Sequence, residues 1–179
     1  VAGQCDVLAL PSGLTYSAVA AGGTHTLAIR TDGSCASWGS NEGCQCNAPA
    51  LPPGLSYVEI AAGDAHIAAR RSDGALLAWG RNYEHQCDVA ALPSGLRYVK
   101  VSAGAGHTVA IRSDGSAVAW GSNILGASTV PTLPTGGMFE QVSAGGTLYS
   151  GPSYFDHTLA RVRNHAPIAW GFNGASQCV

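Results

Sequence analysis

Apolar and polar positions alternate in short runs along this chain. From Leu55 to Gly63, Val58 and Ile60 fall on one face of an extended segment and Tyr57 and Glu59 on the other. From Leu96 to Gly104, Val99 and Val101 oppose Lys100 in the same way. This period of two predicts half-buried strands. A second run follows each, Ala65 to Arg70 and Gly106 to Arg112. Next comes Asp73-Gly74 or Asp114-Gly115. Asp-Gly between apolar runs predicts a hairpin, because glycine accepts positive φ without a Cβ penalty. A third run, Leu76 to Gly80 or Ala117 to Gly121, completes the unit. A proline-containing return such as Asp88 to Gly95 leads onward, with room for a short fourth strand.

The runs repeat at a fixed interval. His25, His66 and His107 stand 41 residues apart, as do Trp38, Trp79 and Trp120, and Cys5, Cys46 and Cys87. His157 and Trp170 each follow 50 residues after their predecessors, which places one insertion before the fourth unit. Such a period marks a solenoid, propeller or array of supersecondary units. The expected units are 14–54, 55–95, 96–136 and 137–179, with the insertion at 146–156. Each is an antiparallel meander too small to bury its own faces, so units must stack. Short, evenly spaced strands with a Trp-Gly signature per unit point to an all-β propeller. A parallel β-helix, with shorter coils, is the structural alternative. Helical periodicity is missing throughout.

Composition narrows the function. Only 11% of the 179 residues are charged, the net charge is −2, and Lys100 is the one lysine. A nucleic-acid footprint needs clustered Lys and Arg. No apolar run reaches the 18 residues of a membrane-spanning helix.

The stretches Ala21 to His25, Arg30 to Gly33 and Trp38 to Asn41 carry a pattern of Ala-Gly-x-x-His, Asp-Gly and Trp-Gly-x-Asn. Ala62 to His66, Arg71 to Gly74 and Trp79 to Asn82 repeat it, as does the third unit. The pattern resembles the repeat of the regulator of chromosome condensation family, over essentially the whole chain. The resemblance implies a β-propeller, seven-bladed in the family. Four units then fit part of a longer propeller, a complete small one, or an open arc closed by a second chain, whose unpaired strand edges invite edge-to-edge association. Cysteine replaces the family's usual leucine after glutamine at Cys5, Cys46, Cys87 and Cys178. That variant is similar to repeats of photosynthetic protists, which implies a plastid or other organelle.

Most chemistry-bearing residues sit at repeat positions. Equivalent histidines on successive blades should lie on the order of 10 Å apart, whereas a zinc ion needs nitrogens about 2 Å away. His25, His66, His107 and His157 are therefore expected to be structural, each imidazole bonding backbone at a blade edge. Trp38, Trp79, Trp120 and Trp170 are expected to pack between blades. A light-sensing family member uses tryptophans at other positions. The cysteines read as small buried apolar side chains of a reducing, intracellular compartment. A bridge between Cys35 and Cys44 is the exception to test. Arg30, Arg71 and Arg112 each precede an aspartate by two residues, which suggests local charge pairs.

No catalytic constellation and no cofactor signature appear, so the expected function is non-enzymatic: a protein-interaction or scaffold propeller, an accessory subunit or module of a larger complex. The insertion brings Tyr149, Tyr154 and Phe155 into a chain poor in aromatics, and these are the candidate partner-binding residues. A loop folded onto its own blade is the competing reading. Two other functions follow from the resemblance: guanine-nucleotide exchange on a small GTPase, and inhibition of another enzyme through aromatic loops.

Overall fold

A computed structural model describes residues 3–147, 155–174 and 176–178. It contains four three-stranded antiparallel sheets, each a meander in chain order. The first comprises β1 (Tyr16–Ala21), β2 (His25–Arg30) and β3 (Cys35–Gly39). The second comprises β4 (Tyr57–Ala62), β5 (His66–Arg71) and β6 (Leu76–Gly80). The third comprises β7 (Tyr98–Ala103), β8 (His107–Arg112) and β9 (Ala117–Gly121). The fourth comprises β10 (Phe139–Gly145), β11 (His157–Val162) and β12 (Ile168–Gly171). The proline-containing returns add no fourth strand among the described residues, and one 3₁₀ turn, Ile124–Gly126, interrupts the all-β pattern.

The second hairpin turn of each of the first three blades depends on a glycine, whereas Asn164, at φ 58°, serves in the fourth. Gly33 has φ 80° and Gly74 φ 85°, the left-handed region that glycine enters freely. The preceding aspartate closes the turn: Asp32 Oδ1 accepts from the Ser34 amide at 2.9 Å. The turn then stitches blade to blade. The Gly33 carbonyl accepts from the Tyr57 amide at 3.0 Å, and the Gly74 carbonyl from the Tyr98 amide at 2.9 Å.

The first strand of every blade departs from simple alternation. The register shifts between Tyr57 and Glu59, and at the matching position of each other blade. This bulge turns Tyr57 onto the Ile60 side, buried in the first junction, and leaves Val58 exposed. In the third blade Tyr98 and Val101 face the second blade, while Val99 packs towards the fourth. The expectation that Val58 pairs with Ile60, and Val99 with Val101, on a single face is therefore corrected. An extra residue in one strand inverts the side-chain phase beyond it.

The core lies between the blades. Leu27 and Ile29 of β2 meet Ile67, Ala69 and Trp79 of the second blade. Ala68 meets Ala110 and Trp120 of the third. Val109 and Ile111 meet Ala160, Val162 and Trp170 of the fourth. Within each central strand, side chains at even steps from the histidine face the next blade and those at odd steps face the previous one. Each fully buried Leu, Ile or Val contributes about 1.5–3 kcal/mol.

Candidate protein-interaction face

The repeat histidines and tryptophans line the junctions. His66 Nε2 lies 2.9 Å from Thr108 Oγ1, and His107 Nε2 2.9 Å from Thr158 Oγ1. Thr108 donates its own hydroxyl proton to the Gln86 carbonyl. His66 Nε2 must therefore carry the proton and donate, leaving Nδ1 as a bare lone pair. Burial holds His66 down at about 3, with neighbouring His107 adding to the effect. The expectation of a backbone partner is corrected to a threonine hydroxyl on the next blade, which reaches the ring because the residue after each histidine faces backwards. His25 is the exception. Ile67 stands where the threonine should be, and both its buried ring nitrogens lack a partner. Burial lowers its pKa, with Asp64 opposing. Each tryptophan indole donates to a carbonyl of the preceding loop: Trp38 to Gln4, Trp79 to Gln45, Trp120 to Gln86 and Trp170 to Ala127.

One end of the array carries the loops that follow the third strands. Asn41 Oδ1 accepts from the Cys46 amide at 2.8 Å, and Asn82 and Asn173 do the same for Cys87 and Cys178. Buried Gln45 and Gln86 fold back onto the amides of Gly43 and Glu84. The repeat thiols of Cys46, Cys87 and Cys178 donate weakly to the carbonyls of Ser40, Arg81 and Phe172. Burial, together with Asp88, pushes Cys87 up to about 12. All six cysteines are free, Cys35 and Cys44 included, and Cys5 and Cys44 are exposed rather than buried as the composition suggested. Loop construction at the protein surface, not core packing, fixes the cysteine position.

Between the first two of these loops lies a groove of about 630 Å3, bordered by Glu42, Cys44, Asp64, Arg81 and Tyr83. The Arg81 guanidinium carbon sits 4.7 Å over the centre of the Tyr83 ring, which is 78% exposed. At the rim, Asp88 bonds His85 at 2.7 Å. Asn82 and His85 together hold the Asp88 carboxyl below its ordinary value. Near the axis, the ends of the four inner strands, among them Gly22, Gly63, Gly104 and Gly145, surround a second cavity of about 320 Å3, and Asp64 borders both spaces.

The insertion is anchored by a residue the sequence did not single out. Asp156, fully buried, accepts from the Ala105 amide at 2.9 Å and the Gly106 amide at 3.1 Å. Its carboxylate lies 3.3 Å from His107 Nδ1, outside hydrogen-bond alignment. Phe155 stacks on Phe172, ring centres 4.3 Å apart and planes 13° from parallel. Tyr149 and Tyr154 lie outside the described residues. Among the arginines of the hairpin turns, Arg71 pairs with Asp73 while Arg30 bonds Ser34 and the Cys35 carbonyl. Among the described residues no three His, Cys, Asp or Glu side chains gather as a metal site, and no helix is long and apolar enough to cross a membrane.

Residues 16–44, 57–86 and 98–126 match the regulator of chromosome condensation (RCC1) repeat. No curated protein matches the chain. Among solved structures, Prp20p from Saccharomyces cerevisiae is 21% identical, with a TM-score of 0.70 over 89% of this chain and 44% of its own. That protein is described with its binding to Gsp1p and histones. Human WBSCR16 gives a TM-score of 0.73 at 16% identity, over 92% of this chain and 50% of its own. The ectodomain of the Arabidopsis thaliana receptor kinase ACR4 gives 0.62 at 21% identity, over 91% and 52%. The chain thus spans about half the length of these structures.

Proposed function

The chain belongs to the regulator of chromosome condensation repeat family, and from that premise we propose that it is a non-enzymatic protein-interaction propeller whose loop-bearing face receives the partner. The observation that carries this reading is the division of labour between residues. Histidine and tryptophan at the repeat positions pack in the junctions, while exposed Tyr83 stands with Glu42, Asp64 and Arg81 around the groove. Rigid blades presenting variable loops suit binding, and exposed tyrosine and arginine are favoured anchors at interfaces.

The insertion borders the same face through Phe155 and Phe172, so Tyr149, Tyr154 and Phe155 remain part of the proposed contact surface. Prp20 is found bound to Kap60 and described with Gsp1p and histones; for this chain that likeness supports a protein as the class of partner. Service as an accessory subunit or module of a larger, intracellular complex, including an organellar one, accords with six free thiols.

Quantitative affinity capture tests the reading. A Tyr83→Ser/Glu42→Gln variant should lose the partners of the native chain, and so should a Tyr149→Ser/Tyr154→Ser/Phe155→Ser variant. Arg97→Ser, on the opposite end, should keep them. Unchanged capture by both loop-face variants would refute it.

A further inference from the structure

A groove of about 720 Å3 opens at the hairpin end of the array, between the third and fourth blades. Four of the chain's nine Lys and Arg side chains line it, Lys100, Arg112, Arg161 and Arg163, with Glu140 as the one carboxylate. The groove thus carries +3, which leaves −5 on the rest of a chain whose net charge is −2. Half-buried Val99 and Met138 give the lining an apolar part. Charges of one sign gathered in a cleft focus the field there.

The charge arises where this junction departs from the repeat. In the second blade Glu59 pairs with Arg70 across the sheet at 2.8 Å. Lys100 and Ile111 hold those places in the third blade, so an ammonium group replaces the carboxylate and has no partner opposite. In the fourth blade Gln141 replaces the carboxylate while Arg161 keeps the guanidinium. Arg163 stands where the other blades have Thr31, Ser72 and Ser113. Glu140 is left to serve two guanidinium groups, accepting from Arg163 Nε at 2.7 Å and from Arg161. Among the described residues Lys100 and Arg112 make no ion pair. Asp114, at the neighbouring turn, directs its Oδ1 to the Ser116 amide and hydroxyl. Exposure here belongs to the repeat itself: Thr31, Ser72 and Ser113 are exposed as Arg163 is, and Lys100 is exposed on an internal blade.

We propose that this groove binds an acidic peptide segment of a partner protein, a second contact at the end of the array opposite the groove of Glu42 and Tyr83. Carboxylates of the segment pair with Lys100, Arg112 and Arg163, and an apolar side chain between them rests on Val99 and Met138. Guanidinium groups suit carboxylates because they can donate two parallel bonds. The negative charge on the rest of the chain favours a short peptide over a nucleic acid, since a long polyanion meets repulsion beyond the groove. Partly exposed charge pairs are individually weak and screened by salt. Equilibrium titration therefore detects this contact where affinity capture with washing does not.

Fluorescence anisotropy at low ionic strength tests the proposal, with a labelled peptide of glutamates flanking one leucine as the probe. The native chain should bind it, and added salt should release it. Lys100→Gln/Arg163→Gln should weaken binding about tenfold, through the loss of two partly exposed charge contacts. Glu140→Gln, which removes the carboxylate of the groove, should tighten binding about threefold. No folding defect could mimic that gain. Tyr83→Ser/Glu42→Gln should leave the affinity unchanged, so the outcome is separate from that of the loop-face reading. Several results would each overturn the proposal: a native chain that does not bind the peptide, indifference to Lys100→Gln/Arg163→Gln, no tightening with Glu140→Gln, weakening with Tyr83→Ser/Glu42→Gln, or equal binding of single-stranded DNA of the same charge.

Discussion

His66 donates through Nε2 to the Thr108 hydroxyl 2.9 Å away, on the neighbouring blade. The pair is fully buried and separates 42 positions in sequence. Thr108→Val therefore strands a buried N–H donor while conserving shape. The expected loss is about 1–3 kcal/mol, read from urea unfolding. His25→Leu should be neutral or stabilising, since neither ring nitrogen of His25 has a partner to lose. Equal losses for both variants would contradict the threonine's role.

The same histidine makes stability depend on pH. Burial depresses His66 from 6.5 to about 3, so between those values the unfolded chain binds a proton that the folded chain does not. Its contribution is complete above pH 6.5 and is lost as pH falls towards 3. Each unit within that window costs about 1.4 kcal/mol. Going from pH 7 to pH 5 should remove about 2 kcal/mol through this group. His66→Gln should flatten that slope, checked by urea midpoints at the two pH values.

Gly33→Ala tests the hairpin stitch. The substitution forces an L residue to φ 80° and sets a Cβ 2.3 Å from that of Ser56. The left-handed conformation alone costs about 1–2 kcal/mol, and the clash adds to it. Thermal unfolding should show a clear fall in Tm. Gly13→Ala has positive φ without a clash and should cost less.

Asp156→Ala removes the buried carboxylate that holds two amides and faces His107. Leaving the two buried amides without an acceptor costs about 1–3 kcal/mol each. Hydrogen exchange should accelerate first at Ala105 and Gly106. Protection unchanged at those amides would show that the insertion is anchored elsewhere.

Much of the fold was legible because it repeats. The Asp-Gly turns, in three copies, and the Trp-Gly strands, in four, are local signals, and the 41-residue step links the first three units. Tyr57 was misplaced because the bulge beside it leaves no mark in an alternating pattern. The histidine partner was missed because it depends on blade stacking. The signal existed, since threonine follows His25, His107 and His157 and only His66 is followed by isoleucine, but nothing local says that this residue faces backwards. Asp156 was hidden at the end of an insertion with no counterpart in other units. Around the groove, Arg81 and Tyr83 belong to a loop that varies between repeats, and variation cannot be read from periodicity.

Nitrogen-15 NMR of the histidine side chains, followed from pH 8 to pH 5, tests most directly whether the repeat histidines are structural. His66 should remain a neutral ring protonated at Nε2 throughout, with Nδ1 at the shift of a bare lone pair. A ring that titrates near 6.5, or one protonated at Nδ1, would contradict the inter-blade bond and with it the separation of packing residues from the binding face.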